Sequence, residues 1–117
     1  MKIAVQGSKT FSDYTIFLRA MRTALYSMTQ EDKEVTLYAV GPVRVNDMAQ
    51  EFSNVSEDGF RGRGMKISCR KMPQSWLENN MSTMDYFAFF KKPGETTSSL
   101  VEVADNSGVD AQIYEFK

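Results

Sequence analysis

Met1-Lys2-Ile3-Ala4-Val5-Gln6-Gly7-Ser8-Lys9-Thr10, followed at once by Phe11-Ser12-Asp13-Tyr14, is the stretch whose reading decides the fold. Ile3, Ala4 and Val5 form a short apolar run bounded by Gly7. A run without alternation fits a strand buried on both faces, and so a central strand of its sheet. Ser12 reads as the N-cap of the helix that follows, with Phe11 packing on Ile16 as a hydrophobic staple. A buried strand, a small-residue turn and a helix make the opening unit of an open α/β sheet. There the turn lies at the carboxyl end of the first strand, where backbone amides and the helix N-terminus can hold an anionic group.

Working outward, Phe17, Leu18, Met21, Leu25 and Met28 keep the three-and-four spacing of an amphipathic helix. The polar run Thr29-Gln30-Glu31-Asp32-Lys33-Glu34 crosses to a second strand, Val35 to Val40, which Gly41-Pro42 stops. Asn46 then caps a helix with Met48, Phe52 and Val55 on its inner face. Ser56 to Gly64 carries three glycines and no apolar period, which predicts an exposed loop. Met65 to Cys69 reads as a peripheral third strand, and Ser75-Trp76-Leu77-Glu78 as a capping box opening a short helix before Met84. Tyr86-Phe87-Ala88-Phe89-Phe90 predicts a second deeply buried strand. Lys91 to Thr97 breaks it, and Thr96 and Thr97 begin a helix lined by Leu100, Val101, Val103 and Ala104 that ends near Gly108. Ala111 to Phe116 is the last strand. This alternation predicts one α/β domain over residues 1–117, a three-layer Rossmann-like sandwich with a mostly parallel five-stranded sheet. Strand one is expected between strands two and four, so that the loops starting at Gly7, Gly41 and Lys91 converge at one edge.

Composition narrows the function classes. At 117 residues the chain can bury a core without disulfide or metal staples. Fourteen basic against fifteen acidic residues give a net charge of −1, so no overall field argues for nucleic acid or an anionic membrane as partner. The one basic cluster, Arg61, Arg63, Lys66, Arg70 and Lys71, holds too few Arg-Gly steps for an RNA-binding tract and reads as a surface loop. A single cysteine, Cys69, and no histidine exclude an internal disulfide, a cysteine-rich zinc site and the Ser-His and Cys-His nucleophile pairs. Catalysis would have to use carboxylates, Lys, Tyr or bound solvent. No apolar run reaches bilayer length and the start lacks a secretory pattern, so a cytoplasmic location is expected. Eight methionines, eight phenylalanines and five tyrosines leave apolar side chains for a homodimer contact.

Three stretches in order resemble the SLOG superfamily of Rossmann-like proteins. It includes the lonely-guy phosphoribohydrolases, the DNA-processing protein DprA and small stand-alone members encoded by bacteria and phages, which this chain resembles in size. Gly7-Ser8-Lys9 stands where that family has a Gly-Ser-Arg turn, with Asp13 at its acidic position. Gly41-Pro42-Val43-Arg44-Val45-Asn46-Asp47 keeps the first and last positions of the family's Gly-Gly-Ala-x-Gly-x-Asp. Asp85, the aromatic strand and Lys92-Pro93-Gly94-Glu95-Thr96-Thr97 are similar to its Asp, strand and Gly-Gly-x-Gly-Thr segment. Pro42 and Val45 replace two glycines. The Glu that helps the lonely-guy enzymes break an N-glycosidic bond has Ser99 or Leu100 in its place, and Glu102 is off register. The resemblance therefore implies a nucleotide-type pocket more than that hydrolysis.

The expected ligand-binding residues are Gly7, Ser8, Lys9, Thr10, Gly41, Pro42, Asp47, Lys92, Gly94, Thr96 and Thr97. Gly7 to Thr10 would supply amides, hydroxyls and an ammonium to a phosphate, and Asp47 would either bind a ribose hydroxyl or favour a helix dipole. No catalytic residue, metal or cofactor is expected. The first reading is non-catalytic binding of a nucleotide or nucleotide-derived ligand by a sensor, carrier or sequestering protein. The alternatives are a hydrolase of N-glycosidic or phosphate bonds, using Asp13, Asp47 or Glu95, and a protein-interaction module with a degenerate site.

Overall fold

Ile3, Ala4 and Val5 are fully excluded from solvent, as a run apolar on both faces requires, and form the middle of β1 (Lys2–Gly7). The computed structural model describes residues 1–29 and 31–116. Over these, the chain continues as α1 (Tyr14–Leu25), β2 (Glu34–Val40), α2 (Val43–Arg61), β3 (Lys66–Lys71) and α3 (Gln74–Asn80). A single 3-10 turn at Met81–Thr83 then leads into β4 (Tyr86–Lys91), α4 (Ser99–Asn106) and β5 (Asp110–Glu115). Gln30, in the polar run read as the crossing to the second strand, lies outside the described residues. All five strands are parallel, in the order β3-β2-β1-β4-β5, so β1 lies between β2 and β4 as the apolar runs predict.

The helices divide between the two faces. Ile3 and Val5 pack with Phe17 and Met21 of α1 and Val45 and Phe52 of α2. Ala4, with Phe87 and Phe89 of β4, packs with Leu77 of α3 and Leu100 and Ala104 of α4. This is a Rossmann-like three-layer sandwich. Strand succession runs outward from β1 to β3, returns to β4 and continues to β5. The loops after β1 and β4 therefore leave neighbouring strands for opposite faces, which opens a crevice between them at the carboxyl edge. Among the described residues no helix is long and apolar enough to cross a membrane.

Helix boundaries differ from the sequence expectation for local reasons. Asp13, not Ser12, caps α1, accepting the Ile16 amide at 3.2 Å. Phe11 is not a staple at the helix entrance but a core residue, stacked on Phe90 with ring centroids 4.3 Å apart. Pro42 caps α2 by its backbone conformation, so Asn46 lies inside the helix rather than before it. That helix also continues to Arg61, through the first part of the stretch read as a loop, Ser56 to Gly64, of which only the end is a turn. One helical glycine costs only ~1 kcal/mol, while Phe60 still packs on the core and Arg61 pairs with Glu57 at 2.8 Å and Asp58 at 3.4 Å. Val55, 67 % exposed, is not on the inner face; Val45, Met48, Ala49 and Phe52 are. Ser75 sits inside α3, which begins after Pro73, and Thr96 and Thr97 precede α4, whose cap is Ser98.

The two possible caps of α1 are separable by mutation. Asp13→Ala is expected to lower the free energy of unfolding by about 1 kcal/mol, and Ser12→Ala to change it by less than about 0.5 kcal/mol. Urea denaturation of both variants checks this; the reverse order would move the cap to Ser12.

Candidate functional site

At the end of β1 the backbone is already engaged. The Ser8 amide donates to Phe90 O at 2.9 Å, carrying the β1–β4 ladder one residue past the strand, and the Phe11 amide donates to Ser8 O at 3.1 Å. Gly7 is needed because a Cβ there would lie 3.0 Å from the Phe11 ring. The half-buried Ser8 therefore offers its hydroxyl, not its amide, to the crevice, with Thr10 Oγ1 3.4 Å from Ser8 Oγ.

The loop after β4 meets it. Lys92-Pro93-Gly94-Glu95 has the form of a type II turn, with proline at its second position and Gly94 at φ +88° at its third. The Glu95 amide donates to Lys92 O at 3.1 Å, and Lys91 Nζ donates to Glu95 O at the same distance. This pins the Glu95 backbone and turns its side chain back across the crevice. Its Oε1 accepts the Ser8 hydroxyl at 3.1 Å and also the Lys92 amide. A carboxylate thus bridges the two loops. Sequence reading did not give Glu95 this place, although Pro-Gly at the centre of a turn is the signal that the fourth residue folds back over the first.

The other expected site residues are placed unevenly. Gly41, at φ +106°, has Gly7 O only 3.5 Å from where a Cβ would be, so the loops after β1 and β2 touch through backbone. Pro42, half-buried, opens α2. Thr10 and Lys92 line an open cleft of about 440 Å³ together with Asp13, Tyr14 and Phe116. Asp47 does not line it. Exposed on α2, it borders a shallow groove of about 150 Å³ with Ser12 and Arg44. Lys9, Gly94, Thr96 and Thr97 are exposed on the two loops. Asp85, quoted for the resemblance, is at the opposite edge, accepting the Lys2 amide at 2.7 Å.

Among the described residues, the buried side-chain oxygens without a hydrogen-bond partner are Gln6 Oε1, Tyr14 Oη and Asn46 Oδ1. All three belong to segments flanking this edge: the end of β1, the start of α1 and the start of α2. Chemistry fixes the orientation of Gln6. The Glu78 carboxylate only accepts, so Gln74 turns its NH2 to Glu78 at 3.3 Å and its oxygen to Gln6 Nε2 at 3.4 Å. Gln6 Oε1 is left without a hydrogen-bond partner, on a residue 8 % exposed. Asn46 Nδ2 reaches Gly41 O at 3.4 Å, leaving its own oxygen free. Burial, and secondarily the charge of Glu51, hold the Tyr14 phenol above its ordinary pKa. In sequence, the sign of Gln6 is an amide at the end of an otherwise apolar buried strand. Tyr14 and Asn46 carry no comparable signal.

Elsewhere the chemistry is quieter. Burial pushes the Cys69 thiol up, away from a reactive thiolate. A cavity of about 540 Å³ opens beside Arg61, Gly64, Met65 and Lys66, at the amino end of β3 and far along the sheet from the converging loops. Its Arg61 is already neutralised by Glu57 and Asp58. Comparison of the sequence with protein-family models and curated proteins, and of the fold with solved structures, finds no match.

Leaving a buried acceptor unpaired costs about 1–3 kcal/mol. Gln6→Leu, which removes the orphaned oxygen from between Val40 and Phe89, is therefore expected to raise the unfolding free energy by about 1 kcal/mol. Denaturant titration checks it, and a loss of similar size would mean that the amide is structurally required.

Proposed function

We propose that this chain binds a nucleotide or nucleotide-derived ligand in the crevice between the loops after β1 and β4, as a sensor, carrier or sequestering protein, and leaves it chemically unchanged. The observation that carries the reading is that Ser8 Oγ of one loop and the Lys92 amide of the other converge on a single carboxylate oxygen, Glu95 Oε1. Donors converging at the carboxyl edge of an open α/β sheet, where such folds hold their ligands, support the reading. Ser8 Oγ and the Lys92 amide, which together hold a carboxylate, support an anionic group on that ligand. The resemblance of Gly7-Ser8-Lys9 and Lys92 to Thr97 to SLOG proteins points the same way.

The non-catalytic part of the reading rests on the carboxylates. Asp13 caps α1, Glu95 is held by two donors, and Asp47 lies on the exposed face of α2, so no pair is poised as acid and base. The same reading takes the protein to be cytoplasmic and dimeric. Val43 and Val55, exposed on α2, leave apolar surface available for a second copy.

A thermal-shift screen with nucleoside monophosphates, dinucleotides, cyclic nucleotides and ADP-ribose tests the binding. A ligand at ~100 times its dissociation constant adds about 2.7 kcal/mol of stability, and Ser8→Ala is expected to weaken binding at least severalfold without unfolding the chain. No stabilisation by any of these ligands, or the same stabilisation of Ser8→Ala as of the parent, would refute the site. Light scattering tests the dimer, and a monomer at roughly tens of micromolar would refute it.

A further inference from the structure

α3 is only seven residues long, and it leaves part of its side of the sheet bare. On that side Ala4, Tyr38 and Val40 pack with Leu77, Met81 and Met84. Toward the amino end and outward on β3, Lys2, Glu34, Lys66, Ser68 and Arg70 are exposed, with Thr36 half-buried. We propose that this uncovered face binds single-stranded nucleic acid through its phosphates, apart from the crevice at the carboxyl edge.

The sheet register brings these residues together from distant parts of the chain. Lys2, Thr36 and Ser68 stand side by side on β1, β2 and β3, and the pairs Glu34–Lys66 and Tyr38–Arg70 flank that row. Two strand steps separate Lys2 from β3, about 10 Å, and Lys66 and Arg70 lie about 13 Å apart along it. The hydroxyl residues Thr36 and Ser68 sit among the cations. The face is concave: Lys2, Thr36, Tyr38, Ser68 and Arg70 border a hollow of about 280 Å³. The basic cluster of the sequence is thereby divided. Arg61 is held by Glu57 and Asp58. Lys71 falls on the other side of β3, the side of Ile67, while Lys66 and Arg70 join Lys2.

Charge decides what this face attracts. Three cations share it with one carboxylate, Glu34, and no ion pair among the described residues engages Lys2, Lys66 or Arg70. Asp85, which accepts the Lys2 amide, borders a different hollow with Met1 and Asp32. The local excess is positive although the whole chain carries −1. A second copy of this chain would bring the same excess and be repelled, whereas a polyanion is drawn in. Among polyanions, the aromatic border favours a single strand. Trp76 is stacked on Tyr38, ring centroids 4.9 Å apart, yet is only half-buried. Tyr38 itself borders the hollow, next to Arg70 in register. Cations that track a backbone and lead to an aromatic ring are the combination by which proteins hold single strands without reading their sequence. An acidic peptide has no base to stack there, and a duplex keeps its bases inside.

Fluorescence of Trp76, the one tryptophan of the chain, and anisotropy of a labelled oligonucleotide read the binding. The probes are oligothymidylate and oligouridylate of about ten residues, within the usual site size, the matched duplex, and oligoglutamate of the same length. The single strands are expected to bind and to change Trp76 emission saturably. Their log affinity should fall with log salt concentration at a slope of about −2, the value for three phosphates of a single strand. Lys2→Gln, Lys66→Gln and Arg70→Gln are each expected to weaken binding severalfold and to reduce the slope by about 0.7, while Lys71→Gln stays close to the parent. All four residues are exposed, so the variants keep the fold, which circular dichroism checks. No binding of either single strand at low salt overturns the proposal. So do unchanged affinity in the three face variants, an equal loss in Lys71→Gln, or binding of oligoglutamate or duplex as tight as that of the single strands.

Discussion

The parallel pairing of β1 on both of its edges is the constraint on which the rest of this molecule depends. Ile3, Ala4 and Val5 have no exposed face, so they require a strand on either side and a helix layer above and below. Right-handed crossovers then put α1 and α2 on one face and α3 and α4 on the other. Because succession reverses between β1 and β4, the two loops that leave their carboxyl ends diverge, and a crevice between them is a consequence of topology rather than of any residue in it. The Phe11–Phe90 stack ties the first loop down onto the second strand of the pair. Gly7 is what lets Phe11 come that close.

Electrostatics then decide what the crevice offers. The first-loop amides that a phosphate cradle would use are partly engaged by the fold, at Ser8 and Phe11. The donors that meet across the crevice come instead from a hydroxyl of one loop and an amide of the other, and both are held by Glu95. With Glu95 on them, the edge satisfies its own donors while leaving three buried oxygens without partners.

The fold was legible because the two buried strands, Ile3 to Val5 and Tyr86 to Phe90, are unbroken apolar runs whose meaning does not depend on their neighbours. Helix limits were less legible because capping is decided by backbone conformation as well as by side-chain type. Ser12, Asn46 and Ser75 are all good caps by composition, yet Asp13, Pro42 and Pro73 hold those positions. Gly59 looked like a loop and is a helical residue because Phe60 beyond it still has core to cover. In the site, Ser8, Thr10 and Lys92 could be picked out as hydroxyl and cationic residues beside small-residue turns. The place of Glu95 could not, since it depends on which strands are adjacent: a contact between residues 8 and 95 exists only once β1 and β4 pair.

The central claim is that the carboxyl edge between β1 and β4 is the binding surface, and backbone amide NMR tests it most directly. Titration of the 15N-labelled protein with the tightest-binding nucleoside monophosphate is expected to move the amide resonances of Ser8, Lys92 and Glu95 together, on one binding curve, with little change at Arg61, Gly64 and Lys66. Saturable shifts confined to that second group would put the site at the amino end of β3 and contradict the account.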